Sequence, residues 1–116
     1  MMFVKVYQYH VQKGKEDVFI TIQEKVTEIY KRYLDFDSIY LNSKEDTTKW
    51  LEIAKYRDED EYSRSLEIID KQKEIQDLFK EFQSILCDQS EISEESFTES
   101  YNFESLNRNQ EWRHSR

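Results

Sequence analysis

Hydrophobic periodicity changes four times along this chain, and the order of those changes limits its fold more than any other feature. Residues 3–11 split into two alternating sets, Phe3/Lys5/Tyr7/Tyr9/Val11 and Val4/Val6/Gln8/His10, and both carry apolar or aromatic side chains. A period of two with both sides apolar describes a central strand covered on each face. Gly14 permits a turn, after which the period lengthens: from Lys15 to Leu34, Phe19, Ile22, Val26, Ile29 and Tyr33 fall on one stripe of a helix with charges opposite. Glu16 and Asp17 in its first turn, and Lys31 and Arg32 in its last, suit the two ends of the helix dipole.

Asp35-Phe36-Asp37 reads as a break. Ser38–Asn42 and Thr48–Arg57 then read as strands joined through the polar Ser43–Asp46 loop, an antiparallel hairpin. Asp58 to Leu86 is helical again, with acidic residues 58–61 at its start. The irregular step from Ile69 to Ile75 predicts a bend or break near Asp70–Lys73. Cys87–Glu95 reads as a loop. Ser96–Glu104 alternates once more, with Phe97, Tyr101 and Phe103 on one side and a polar other side that suggests a sheet edge; Glu99 is a charge of the kind edge strands carry. The order β-α-β-β-α-β is that of a ferredoxin-like α+β sandwich, expected as a single domain over residues 1–104, followed by a tail at 105–116.

Composition narrows the function classes. Acidic residues outnumber basic ones 25 to 17, for a formal net charge of −8, which disfavours nucleic acid and anionic lipid as partners. No stretch has the length of a membrane span, and residues 1–10 lack the pattern of a secretory signal. With a lone cysteine, Cys87, no intramolecular disulfide can form, so a cytoplasmic setting is expected. Two distant histidines and that cysteine make no metal-ligand spacing. Neither a metal nor a cofactor is expected.

The stretch HVQKGKEDVF, residues 10–19, resembles the antibiotic-biosynthesis monooxygenase family, in which a valine ends the first strand, a glycine makes the turn, and a glutamate and phenylalanine open the helix. Val11, Gly14, Glu16 and Phe19 stand at those places. KYRDEDEY, residues 55–62, is similar to the family's passage from an aromatic residue into an acidic-capped second helix. The resemblance implies a dimeric α+β barrel: a homodimer with two four-stranded sheets facing one another and a pocket between each sheet and its helices. It also implies activities ranging from cofactor-independent oxygenation of phenolic compounds to haem degradation, alongside members without known activity. Against the haem-degrading branch, Tyr7 stands at the asparagine position, Tyr56 at the tryptophan position, and no histidine occurs between His10 and His114.

Strand parity then selects candidate residues. Tyr7 and Tyr9 on the first strand and Trp50, Glu52 and Tyr56 on the third would turn toward the helices, where a planar aromatic ligand could stack. Tyr9, Trp50 and Tyr56 are the expected substrate-binding residues; Glu52 and Tyr7 are the expected catalytic ones. A carboxylate between Trp50 and Ala54 is costly to bury, so Glu52 would be a general base of raised pKa removing a phenolic proton, one half of an ion pair with Lys5 or Lys49, or simply exposed. The competing reading of these aromatic residues is ordinary core and interface filling. His10 has the opposite parity and would face a partner protomer; Cys87, at a helix end, has no activating neighbour. Two functions follow: a small-molecule monooxygenase-like enzyme, or a non-catalytic dimeric binding or regulatory module on the same scaffold.

Overall fold

The computed structural model describes residues 2–87 and 91–101. Strand β1 spans Phe3–His10, helix α1 Glu16–Tyr30, β2 Phe36–Asn42, β3 Lys49–Tyr56, α2 Glu59–Ile69, α3 Lys73–Ser84 and β4 Ser93–Thr98. The strands form one sheet in the order β2-β3-β1-β4 with every neighbouring pair antiparallel. This is the ferredoxin-like α+β fold expected from the periodicities.

Local chemistry sets the element boundaries. Gly14 takes a positive φ of 84°, which its missing Cβ makes inexpensive, and turns the chain from β1 into α1. Asp58 caps α2 by accepting from the Glu61 N–H at 2.8 Å, with Glu59, Asp60 and Glu61 in the positive first turn. The break expected near residues 70–73 separates α2 from α3. Helix α1 stops at Tyr30, earlier than expected, so Tyr33 leaves the apolar stripe: it is exposed and its hydroxyl accepts from Gln72 Nε2 at 2.8 Å. Phe36 belongs to β2 and not to a break, because its ring stacks on Tyr56 at 5.3 Å inside the core.

The fourth strand starts at Ser93 and ends at Thr98, so the expected Ser96–Glu104 range was set too late. Residues 93–95, expected in a loop, pair with Val6 to Gln8. Tyr101 lies beyond the strand, and Phe103 and the 105–116 tail fall outside the described residues.

All three helices cover one face of the sheet: Tyr9 packs on Phe19 of α1 and Phe82 of α3, and Phe3 on Tyr62 of α2. Register arranges that inner face in cross-strand rows. One row reads Tyr40–Glu52–Tyr7–Glu94, the next Ser38–Ala54–Lys5–Ser96, and the third Phe36–Tyr56–Phe3–Thr98. The middle row is small at Ser38 and Ala54, and its Lys5 is drawn sideways to β4, paired with Glu94 and donating to Ser96 Oγ at 3.0 Å. A space therefore opens above it, between two aromatic rows. The outer face carries Val4, Val6, Ile39, Leu41, Leu51, Ile53 and Phe97, none of them buried by the described residues.

Candidate functional site

The space between sheet and helices is a cavity of about 380 Å³, within the range that takes drug-sized molecules. Its wall contains six of the chain's eight tyrosines, so phenol groups, not aliphatic ones, set its polarity. Tyr7 and Tyr9 come from β1, Tyr40 from β2, Tyr56 from β3, Tyr30 from α1 and Tyr62 from α2. Burial is the first cause that pushes each of these hydroxyls above the ordinary tyrosine value. They are neutral donors throughout the physiological range.

Glu52 lies in the same wall, on a central strand between Tyr7 and Tyr40 of the neighbouring strands. Its Oε1 accepts from the Tyr9 hydroxyl at 2.7 Å. Burial raises the carboxyl above the usual range, and the Tyr9 hydrogen bond partly opposes that rise. Neither lysine considered as its partner pairs with it: Lys5 is held by Glu94, and Lys49 belongs to the opposite face of β3. A carboxyl whose pKa burial raises, with one hydroxyl partner among the described residues and an open cavity beside it, has the chemistry of a proton acceptor toward a molecule in that cavity.

The structure brings Tyr7, Tyr9, Glu52 and Tyr56 together in one wall. Trp50 is the exception. It has the inward parity, but it sits at the start of β3 beneath Phe19, ring centroids 4.7 Å apart, and is not part of the cavity lining. Its indole Nε1 is buried without a partner among the described residues. His10, on the other face, contacts Thr48 Oγ1 at 3.0 Å and Asp46 at 3.5 Å, away from the cavity.

Among the polar wall residues not singled out from sequence are Gln23, Tyr30, Tyr40 and Tyr62. Gln23, Val26 and Tyr30 are spaced by three and four residues, the signature of a common helix face, so a glutamine in line with apolar neighbours was the available signal. Gln23 is only 8% exposed, and its Oε1 accepts from the Tyr40 hydroxyl at 3.0 Å. Among the described residues no group of histidine, cysteine and carboxylate side chains could hold a metal ion.

No protein-family model matches the chain, and no curated protein matches it in sequence. Solved structures do match in shape. SnoaB from Streptomyces nogalater, a cofactor-independent oxygenase, is 17% identical, with a TM-score of 0.70 over 90% of this chain and 98% of that one. A NIPSNAP family protein from Agrobacterium tumefaciens is 16% identical, with a TM-score of 0.65 over 91% and 99%. A Nitrosomonas europaea protein described as a candidate antibiotic biosynthesis monooxygenase is 14% identical, with a TM-score of 0.61 over 81% and 88%. The chain therefore has the ferredoxin-like α+β fold of SnoaB and the antibiotic-biosynthesis monooxygenase-like structures, as residues 10–19 and 55–62 led us to expect.

Proposed function

We propose that the chain binds a small planar aromatic or phenolic molecule in this cavity and oxygenates it without a cofactor. Glu52 carries the reading, since a proton acceptor of raised pKa faces the space a ligand would fill. Glu52 takes a proton from the electron-rich substrate, and the neutral Tyr7 hydroxyl, which hydrogen-bonds with Tyr62, turns its hydrogen from Tyr62 to the oxyanion that forms. Carbanion character then reaches dioxygen. For oxidation of a ring methylene the balance is CH2 + O2 → C=O + H2O: two C–H bonds break, the substrate gives up four electrons, and one oxygen atom leaves as water. Tyr9 holds the Glu52 carboxylate in place, and Tyr56 supplies a stacking face.

A homodimer is part of the proposal. The outer face of the sheet leaves Ile39, Leu41 and Phe97 53%, 47% and 44% exposed, and a second sheet would cover them. The lone cysteine supports action in a reducing, cytoplasmic compartment.

Native mass spectrometry of the purified protein should reveal a co-purified aromatic ligand, and oxygen uptake should follow its addition to the stripped protein. Glu52→Gln should abolish uptake while the dimer stays folded, and in the native enzyme uptake should rise with pH through the raised Glu52 pKa, because the base works deprotonated. If Glu52→Gln turns over and binds as the native chain does, and only stability changes, the carboxylate is structural and the non-catalytic binding module is the better reading.

A further inference from the structure

Charge is distributed unevenly around the cavity. Its lining holds three carboxylates, Glu52, Asp70 and Glu94, and no lysine, arginine or histidine. The register sets two of them in one row on either side of Tyr7, Glu52 on β3 and Glu94 on β4. Glu94 has a cation: the Lys5 ammonium pairs with it and stands 5.8 Å from the centre of the Tyr7 ring and 5.9 Å from that of Tyr62. Tyrosine rings and a carboxylate thus already hold one ammonium beside this wall. Glu52 has similar surroundings, with Tyr7 on one side and Tyr40 on the other, but no cationic partner among the described residues. Tyr9 engages its Oε1; its Oε2 has no hydrogen-bond partner among the described residues and is not sealed off, and beside it lies the cavity.

We propose that the cavity is selective for organic cations: its occupant carries an ammonium group that pairs with Glu52 between the Tyr7 and Tyr40 rings, as Lys5 pairs with Glu94. Taking an ammonium out of water is costly unless a carboxylate and ring faces replace its hydration, and this wall offers both. An anion would meet the reverse, three carboxylates and no countercharge in the lining of a chain whose net charge is −8. The exposed members of the lining are Asp70, Phe79, Ile92 and Glu94, so the two carboxylates other than Glu52 stand on its solvent side. A cation is drawn in there, and an anion is turned away before it reaches Glu52. The inference rests on reading the cavity as a ligand site and adds a charge to the ligand; it does not depend on the ligand being oxygenated.

Three probes share one bicyclic ring and differ in charge: 2-naphthylmethylammonium, 2-naphthylmethanol and 2-naphthoate. Calorimetric titration of the full chain at neutral pH should show the ammonium binding about tenfold more tightly than the alcohol, and the carboxylate about tenfold more weakly than the alcohol. That order is read on the native chain and needs no variant to fold. Glu52→Gln keeps the shape of the side chain and removes its charge. It should bring the ammonium within about twofold of the alcohol, while the alcohol's own affinity changes by less than about twofold. Equal binding of ammonium and alcohol, or naphthoate binding as tightly as the ammonium, overturns the proposal and leaves the oxygenase reading standing. An ammonium advantage that Glu52→Gln does not reduce overturns it as well, because the charge is then read elsewhere in the wall. If none of the three binds, the cation class falls, whereas the oxygenase reading falls only if oxygen uptake on the co-purified ligand also fails.

Discussion

Removing one oxygen atom, by Tyr9→Phe, isolates the interaction on which the Glu52 chemistry depends. The ring would stay where it is, since it is 1% exposed and packed edge-on against Phe82 at 5.0 Å and Phe19 at 5.8 Å. Only the 2.7 Å hydrogen bond to Glu52 would go. A hydrogen bond to a charged acceptor contributes about 1.5–3 kcal/mol, against about 0.5–1.5 kcal/mol for a neutral pair. The cost must therefore depend on pH. Burial raises the folded Glu52 pKa above its unfolded value, so Glu52 favours the folded state fully below the unfolded value, and that contribution is lost as pH rises through the folded one. Without the Tyr9 hydroxyl the folded pKa rises further, and the native and variant chains diverge above it. Urea denaturation should show Tyr9→Phe destabilised by about 0.5–1.5 kcal/mol near pH 4 and about 1.5–3 kcal/mol near pH 9. The acid limb of oxygen uptake should move to higher pH in parallel. A destabilisation that is the same at both pH values, or that survives undiminished in a Glu52→Gln background, would refute the coupling.

Two further substitutions test the architecture. Ile53→Glu places a carboxylate between Val6 and Ile39 on the outer sheet face and should convert a dimer to a folded monomer, seen as halved mass in light scattering; a native chain that is monomeric at micromolar concentration would sink the facing-sheet arrangement. Ala54→Leu adds three carbons to the cavity floor and should abolish ligand binding with less than about 1 kcal/mol of destabilisation, whereas overpacking a filled core costs about 1–3 kcal/mol.

What could be read from the sequence divides along physical lines. The period of two decides which face a strand residue occupies, so Tyr7, Tyr9, Glu52 and Tyr56 were placed on the helix side correctly. Parity says nothing about position along the strand, and Trp50, one row too far toward the β3 start, is closed over by Phe19. The first three residues of β4 escaped notice because their inward member is Glu94, whose reason for being there is Lys5 on a strand 89 residues away in sequence. Gln23 was missed for the opposite cause: a polar residue beside an apolar stripe reads as solvated until Tyr40, from another element, closes over it. Tertiary pairing of this kind leaves little trace in local periodicity.

The inner face of the sheet would bury more apolar surface if its middle were filled. Leucine at position 52 would remove the desolvation of a carboxylate that, among the described residues, one hydroxyl compensates, and a larger residue at position 54 would narrow a space of about 380 Å³. Core packing gives no reason for small side chains at Ser38 and Ala54 between the Tyr40–Glu52–Tyr7 and Phe36–Tyr56–Phe3 rows. Nor does it give one for turning the Gln23 amide inward. These departures from what folding rewards lie on three elements, α1, β2 and β3, and meet in one volume. A scatter of unrelated defects would not share a wall, and a purely structural ion pair would have brought Lys5 to Glu52 and not to Glu94. Under the proposed function the same volume is a site whose occupant supplies the missing partners: a ring for the tyrosine faces and a proton for Glu52.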